Sequence, residues 1–323
     1  MIDTQRGVRD GQKRAARAVV CAGVAALLAM SVGCERSPSG TSVPPVKAEQ
    51  DYRRVAPELV LYEELPRIET GFKETYAIAV GPEDFIYATG DQRLIVLNRE
   101  GGARREVNLS AAARGVGVDA RGDIYLGVGD HVKVYDQALT QKAVWPSFGE
   151  RAVITSVAVG DEVFAGDYGN RLVWRCDKSG KVLGRIGEND KLRFCPCISV
   201  VDVTLRRDGG VWITDHKNWQ VLAYDKEGSL QTRWGQRTST IDGFSGGCNP
   251  THIAIGADGE VFTSEKDIER IKVSTPDGTL LGVVAPPSSF ALKTVGVDLA
   301  VDSQGRVLAL DPVQKAIRVF VKK

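Results

Sequence analysis

The chain of 323 residues is sparing with two residue types that often carry chemistry: it has 2 methionines and 3 histidines. It has no surplus of either charge. Lys+Arg number 42 and Asp+Glu 41, so no net field recruits nucleic acid or an acidic substrate. Several motifs are missing as well. There is no Cys-x-x-Cys-His, which excludes covalent haem of the usual kind. No Gly-x-Ser-x-Gly elbow marks a serine hydrolase. The basic N-terminal stretch has only Lys13-Arg14 and no twin-arginine pair, so export of a folded, cofactor-loaded protein is not indicated. The apolar run from Ala18 to Val32 is too short to span a bilayer comfortably. Glycine, by contrast, is abundant at 35, which suits the many tight turns of an all-β protein. With 26% charged and 43% hydrophobic residues, the composition is that of a soluble globular protein with a sizeable core.

Residues 1–33 read as a secretory signal. Arg6, Arg9, Lys13, Arg14 and Arg17 precede the apolar run, and small residues follow it. Ser31-Val32-Gly33-Cys34 resembles the lipobox of bacterial lipoproteins, although Ser31 stands where Leu is preferred. The resemblance implies that Cys34 becomes the lipidated first residue of the mature protein. The plainer alternative is cleavage without lipidation. Glu35 is not the Asp that retains lipoproteins at the inner membrane, so the expected address is the outer membrane, facing the periplasm. Residues 34–57 are rich in Ser, Pro and charge and read as a flexible tether.

From about Thr75 the chain repeats one unit, clearest in Val201 to Leu230: apolar strand, Gly turn, apolar strand, polar loop, apolar strand, turn, strand. The last apolar residues of the six first strands are Val80, Val118, Val159, Leu205, Ile255 and Val301. These anchors lie 38, 41, 46, 50 and 46 residues apart, the spacing of four-stranded propeller blades. Second strands begin at Ile86, Ile124, Val163, Val211, Val261 and Val307. The sixth unit ends at Lys323 without a fourth strand, and Leu59 to Leu65 is a spare strand that can complete it. Residues 58–323 are therefore expected to form an all-β, six-bladed propeller of four-stranded blades, closed by the N-terminal strand. Asp91, Asp130, Asp167, Asp215 and Asp311 stand early in the loops between second and third strands, where an Asp bonds its own loop's amides.

The pattern resembles the NHL-repeat family. Ile86-Tyr87-Ala88 with Arg93-Leu94, and Phe164 with Asn170-Arg171-Leu172, carry the likeness best, while blades two and six lack the Arg. Such propellers serve as binding scaffolds, lyases and lactonases, so the resemblance implies the fold and leaves the activity open.

Strand order puts the loops leading into each first strand on one face with the loops joining second to third strands. The longest lead-ins precede blades four, five and six. Cys195, Cys197 and Cys248 lie in them, with His252 just after Cys248 and His216 on the same face. This cluster reads as a disulfide of Cys248 with Cys195 or Cys197, as a metal or redox centre using thiolates and His252, or as free thiols. Cys176 falls on the opposite face. A calcium-dependent lactonase would draw on Asp202, Asn249, Asp298 and Asp311, which no spacing singles out. Asp215, Lys217, Trp219, Glu265 and Lys266 are candidates for an exposed recognition surface for a protein or small-molecule ligand. The leading expectation is a lipid-anchored binding or scaffold protein; the alternative is a metal- or redox-dependent propeller enzyme.

Overall fold

The computed structural model describes residues 53–188, 190, 192, 199–292 and 294–323. The segment holding Cys34, and Cys195 and Cys197, lie outside the described residues.

The described chain forms six four-stranded antiparallel sheets. After β1 (Tyr62–Glu69), blade one is β2 (Thr75–Val80), β3 (Ile86–Gly90), β4 (Arg93–Leu97) and β5 (Arg105–Asn108). Blade two is β6 (Gly115–Val118), β7 (Ile124–Val128), β8 (His131–Tyr135) and β9 (Gln141–Val144). Blade three is β10 (Ile154–Val159), β11 (Val163–Asp167), β12 (Leu172–Cys176) and β13 (Val182–Ile186). Blade four is β14 (Val203–Leu205), β15 (Val211–Asp215), β16 (Gln220–Tyr224) and β17 (Leu230–Trp234). Blade five is β18 (His252–Ile255), β19 (Val261–Glu265), β20 (Arg270–Ser274) and β21 (Leu280–Ala285). Blade six is β22 (Asp298–Val301), β23 (Val307–Asp311) and β24 (Ala316–Lys322), completed by β1. The first strand of each blade touches the first strands of both neighbours, β22 meeting β2, so the blades form a ring. The molecule is a six-bladed β-propeller.

Burial follows strand rank. All six second strands are buried along their whole length, because a sheet packs on each face. The outer strands are mostly exposed, except β21 of blade five, which is mostly buried. The core is accordingly a set of layers between blades. One layer sets Ile78, Ile86 and Ile95 of blade one against Leu308, Leu310 and Ile317 of blade six. Close approach near the axis needs small residues: a Cβ on Gly115 would meet the Ser156 backbone at 2.7 Å.

The closing strand lies further along the chain than Leu59 to Leu65. Pro57–Leu59 forms a 3-10 turn with Pro at its start, which delays the strand to Tyr62. Val60 then bridges Val283 of blade five before Tyr62 pairs with Lys322 of blade six. The N-terminal segment thus crosses the seam between two blades.

First strands run away from the face that carries the lead-in loops, called here the upper face. Loops joining second to third strands return to it.

Candidate functional site

Three residues before each anchor, the first strands carry Ala77, Gly115, Ser156, Asp202, His252 and Asp298. Two of the six are Ala or Gly and four are polar. Most of the polar residues bond the next blade. Ser156 Oγ accepts from the Val203 amide at 3.1 Å, Asp202 Oδ2 accepts from Ile253 at 2.8 Å, and Asp298 Oδ2 accepts from Ile78 at 2.8 Å. His252 breaks the series. The amide it would meet, that of Leu299, donates to Asp298 Oδ1 at 2.8 Å. His252 Nδ1 instead lies 3.4 Å from Asp202 Oδ2 and 3.2 Å from Asp298 Oδ1.

Burial alone would lower the imidazole pKa. The Asp298 charge and hydrogen bonds to both carboxylates outweigh it and hold His252 up at about 10. Asp202 is pushed above the usual carboxylate range by desolvation, against the pull of His252 and of the Ile253 amide. Nδ1 faces a carboxylate oxygen on either side, so without a metal it is the protonated ring nitrogen. The three donor atoms also lie within 4.8 Å of one another, close enough to share a metal ion.

The triad sits where two spaces meet. Below it, a central cavity of ≈ 210 Å³ is walled by the first strands of all six blades. Above, a mouth of ≈ 370 Å³ opens on the upper face and includes His252, Asp298, Glu74, Tyr76, Arg114 and Val295 in its lining. The Arg114 guanidinium stacks 5.2 Å over the Tyr76 ring, and Tyr76 bonds Glu74. The mouth therefore draws on blades one, two and three as well as on the blades with the longest lead-ins. Its rim residues carry no motif, and nothing in the sequence pointed to them. The Asp-His-Asp set did have a signal: its equal offset from the anchors.

The residues singled out from the sequence scatter among several roles. Of the four oxygen donors, Asp202 and Asp298 converge on His252, and Asn249 and Asp311 do not join them. Asn249 is buried, its amide donating to Ser245 O and Lys266 O and accepting from the Lys266 amide. Asp311 accepts the Val313 and Gln314 amides. Asp91 bonds the Lys73 and Glu74 amides of the adjacent lead-in rather than its own loop. Asp167 bridges both kinds of partner, Val153 and Asn170.

His216 is buried beside Thr214, with Nε2 3.0 Å from the hydroxyl, and burial first, then the His252 charge, drives its pKa down to about 3. Cys248 is half-buried, and burial raises its thiol pKa; the partners proposed for it lie outside the described residues. Cys176 is buried at the end of β12, its thiol pushed up to about 12.

The recognition surface needs correction. Glu265 is 2% exposed and Lys266 8%, and Asp215 is buried. Trp219 is half-buried under the Arg237 guanidinium, 5.0 Å above its ring, and only Lys217 is exposed. Glu265 is covered because the blade-five lead-in folds over it. It accepts from Arg270 at 2.7 and 3.0 Å, from Lys272 at 3.1 Å and from the Ser245 amide at 3.1 Å. Lys272 goes on to Gly243 O at 2.6 Å and lies 4.5 Å from the centre of the Phe244 ring.

No protein-family model matches the chain, and no curated protein matches it in sequence. Solved structures do match in fold. A catalytically inactive histidine-to-alanine variant of virginiamycin B lyase from Staphylococcus aureus, solved with quinupristin, aligns with TM-score 0.57 at 13% identity, over 80% of this chain and 83% of that one. A streptogramin B lyase structure aligns with TM-score 0.55 at 12% identity, over 83% of this chain and 100% of that one. A protein of unknown function from Bacteroides thetaiotaomicron aligns with TM-score 0.57 at 16% identity, over 82% and 72%. The likeness is one of fold: this chain is a six-bladed propeller of the same general architecture as these lyases.

Proposed function

We propose that the protein is an exported, lipid-anchored NHL-type propeller that binds a small molecule or a protein segment at the upper mouth of its channel. The observation that supports this most is the stacking of the Asp202-His252-Asp298 set directly beneath an open mouth. A rigid ring with polar groups converging at its opening is the usual setting for a ligand. Two acids around one imidazolium favour a ligand end that donates hydrogen bonds, such as an amine or amide. The mouth walls, with Tyr76 and Val295, suit an apolar body. The test is a thermal-shift screen of amines, amides and short peptides against the wild type and Asp298→Asn. A hit whose stabilisation vanishes in Asp298→Asn supports the site. Hits unaffected by it place binding elsewhere.

A second reading is favoured by the same distances. Separations of 3.2 and 3.4 Å between His252 Nδ1 and the two carboxylates are close to those that a tetrahedral ion imposes on ligands about 2.0–2.2 Å from it. One imidazole and two carboxylates fit Zn²⁺ better than Ca²⁺, which takes six or more oxygens. When bound, such an ion would supply Lewis-acid chemistry at the mouth. Elemental analysis of protein purified without chelator separates the readings. One equivalent of zinc, lost in His252→Ala, favours the metal; its absence in both leaves the charged imidazole.

A further inference from the structure

We infer that the upper face of the propeller lies against the membrane, with Leu292, Val295 and Val313 as its point of contact with lipid. This rests on the lipid-anchored reading above, and two independent features of the described structure lead to it.

The first is where the chain arrives. Arg53 donates to Asp267 O at 2.7 Å and pairs with Glu269 at 3.0 Å. Asp267 and Glu269 lie in the turn between β19 and β20, which is on the upper face of blade five. The tether from Cys34 therefore reaches the domain at that face.

The second is what that face exposes. Leu292 is 74% exposed, Val295 57% and Val313 47%. The other large exposed apolar side chains among the described residues sit on outer strands: Val144, Val182, Leu183, Leu281 and Leu65. Only these three stand on loops of the upper face, and all three belong to blade six, the neighbour of the blade where the tether arrives. Single exposed apolar residues need no explanation, but here three stand on the two upper-face loops of one blade. Exposed Lys315, Lys73 and Arg114 stand on the same face at blades six, one and two, where they can meet anionic headgroups, among the exposed acids Glu69, Glu74 and Asp267 of that face. Val295 also lines the mouth, so a ligand would come to it from the lipid surface.

The mature, lipidated protein should be reconstituted into vesicles of phosphatidylethanolamine and phosphatidylglycerol (3:1). Hydrogen–deuterium exchange is then compared with that of the same protein in detergent. The loops 290–297 and 312–315 should exchange at least about threefold more slowly in vesicles. The lower-face turns at Asp119–Gly122, Asp177–Gly180 and Asp225–Gly228 should not change. Leu292→Ser with Val295→Ser should restore fast exchange while the protein still pellets with the vesicles. Equal exchange on both faces, or protection of the lower turns, overturns the inference and leaves the anchor intact. Protection that rises with protein concentration in detergent alone points to a second copy and also overturns it. Wild type that does not pellet at all overturns the anchor reading and this inference together.

Discussion

Two histidines on one face are held in opposite charge states. His252 has a carboxylate on either side, and its pKa is held up at about 10. His216 is enclosed, with Thr214 as a neutral partner, and its pKa is pushed down to about 3. The consequences for stability have opposite signs. With an unfolded value near 6.5, the stabilisation from charged His252 is fully present below that pH and is lost as pH rises toward 10. The stabilisation from neutral His216 is present above 6.5 and is lost as pH falls toward 3. Denaturant midpoints should therefore peak near neutrality. In His252→Gln the alkaline fall should flatten, by on the order of 2 kcal/mol between pH 7 and 10, and His216→Asn should flatten the acid arm. An alkaline arm that His252→Gln leaves unchanged would mean a neutral imidazole in the fold, the form a metal ligand requires.

At the scale of the elements, the blade-five lead-in is fastened by a buried acid and two buried cations. Glu265 ends a second strand, as Asp167, Asp215 and Asp311 do, and all four are buried. Burial lowers the Lys272 pKa to about 8 while Glu265 pulls it back. Removing the acid leaves Arg270 and Lys272 buried without a counter-charge, so Glu265→Ala should cost about 3–5 kcal/mol by urea denaturation. A loss below about 1 kcal/mol would show that the lead-in is held by its apolar contacts, Phe244 stacked on Trp234 among them. The strands themselves were legible from the chain: the starts expected at Ile86, Ile124, Val163, Val211, Val261 and Val307 are the observed ones, because a doubly covered strand is a continuous apolar run bounded by turns. Loop burial was not legible. Whether Glu265 faces water depends on a lead-in folding back over it, and no local pattern encodes that. The candidate site was half legible. Asp202, His252 and Asp298 share an offset that a careful alignment of the anchors shows, whereas the rim formed by Tyr76, Arg114 and Val295 exists only once the ring has closed.

At the scale of the whole molecule, stability depends on that closure, and closure depends on eight residues at one end of the domain. Strand β1 pairs with β24 from Tyr62↔Lys322 to Glu69↔Ala316, and Glu64 receives a two-pronged ion pair from Arg318 at 2.8 and 2.6 Å. Arg318 is 1% exposed, lies against Phe290 and Phe320 and also has Asp311 at 3.5 Å, so losing Glu64 leaves it buried with one of its two counter-charges. Tyr62 packs edge-on against Phe262 of blade five, which adds an apolar bolt across the same seam. A propeller without its closing strand has one open edge and one uncovered core layer, and each invites fraying or pairing with another copy. Deleting residues 35–52 should then leave the melting temperature within about 2 °C, whereas deleting residues 35–69 should cost about 4 kcal/mol or more, a fall of about 10 °C or more. The shorter deletion stops short of Arg53, so the two variants differ in the seam and not in the tether. Equal melting temperatures would show that blades one and six hold the ring shut through their inner strands alone, where β2 meets β22 and Asp298 reaches the Ile78 amide.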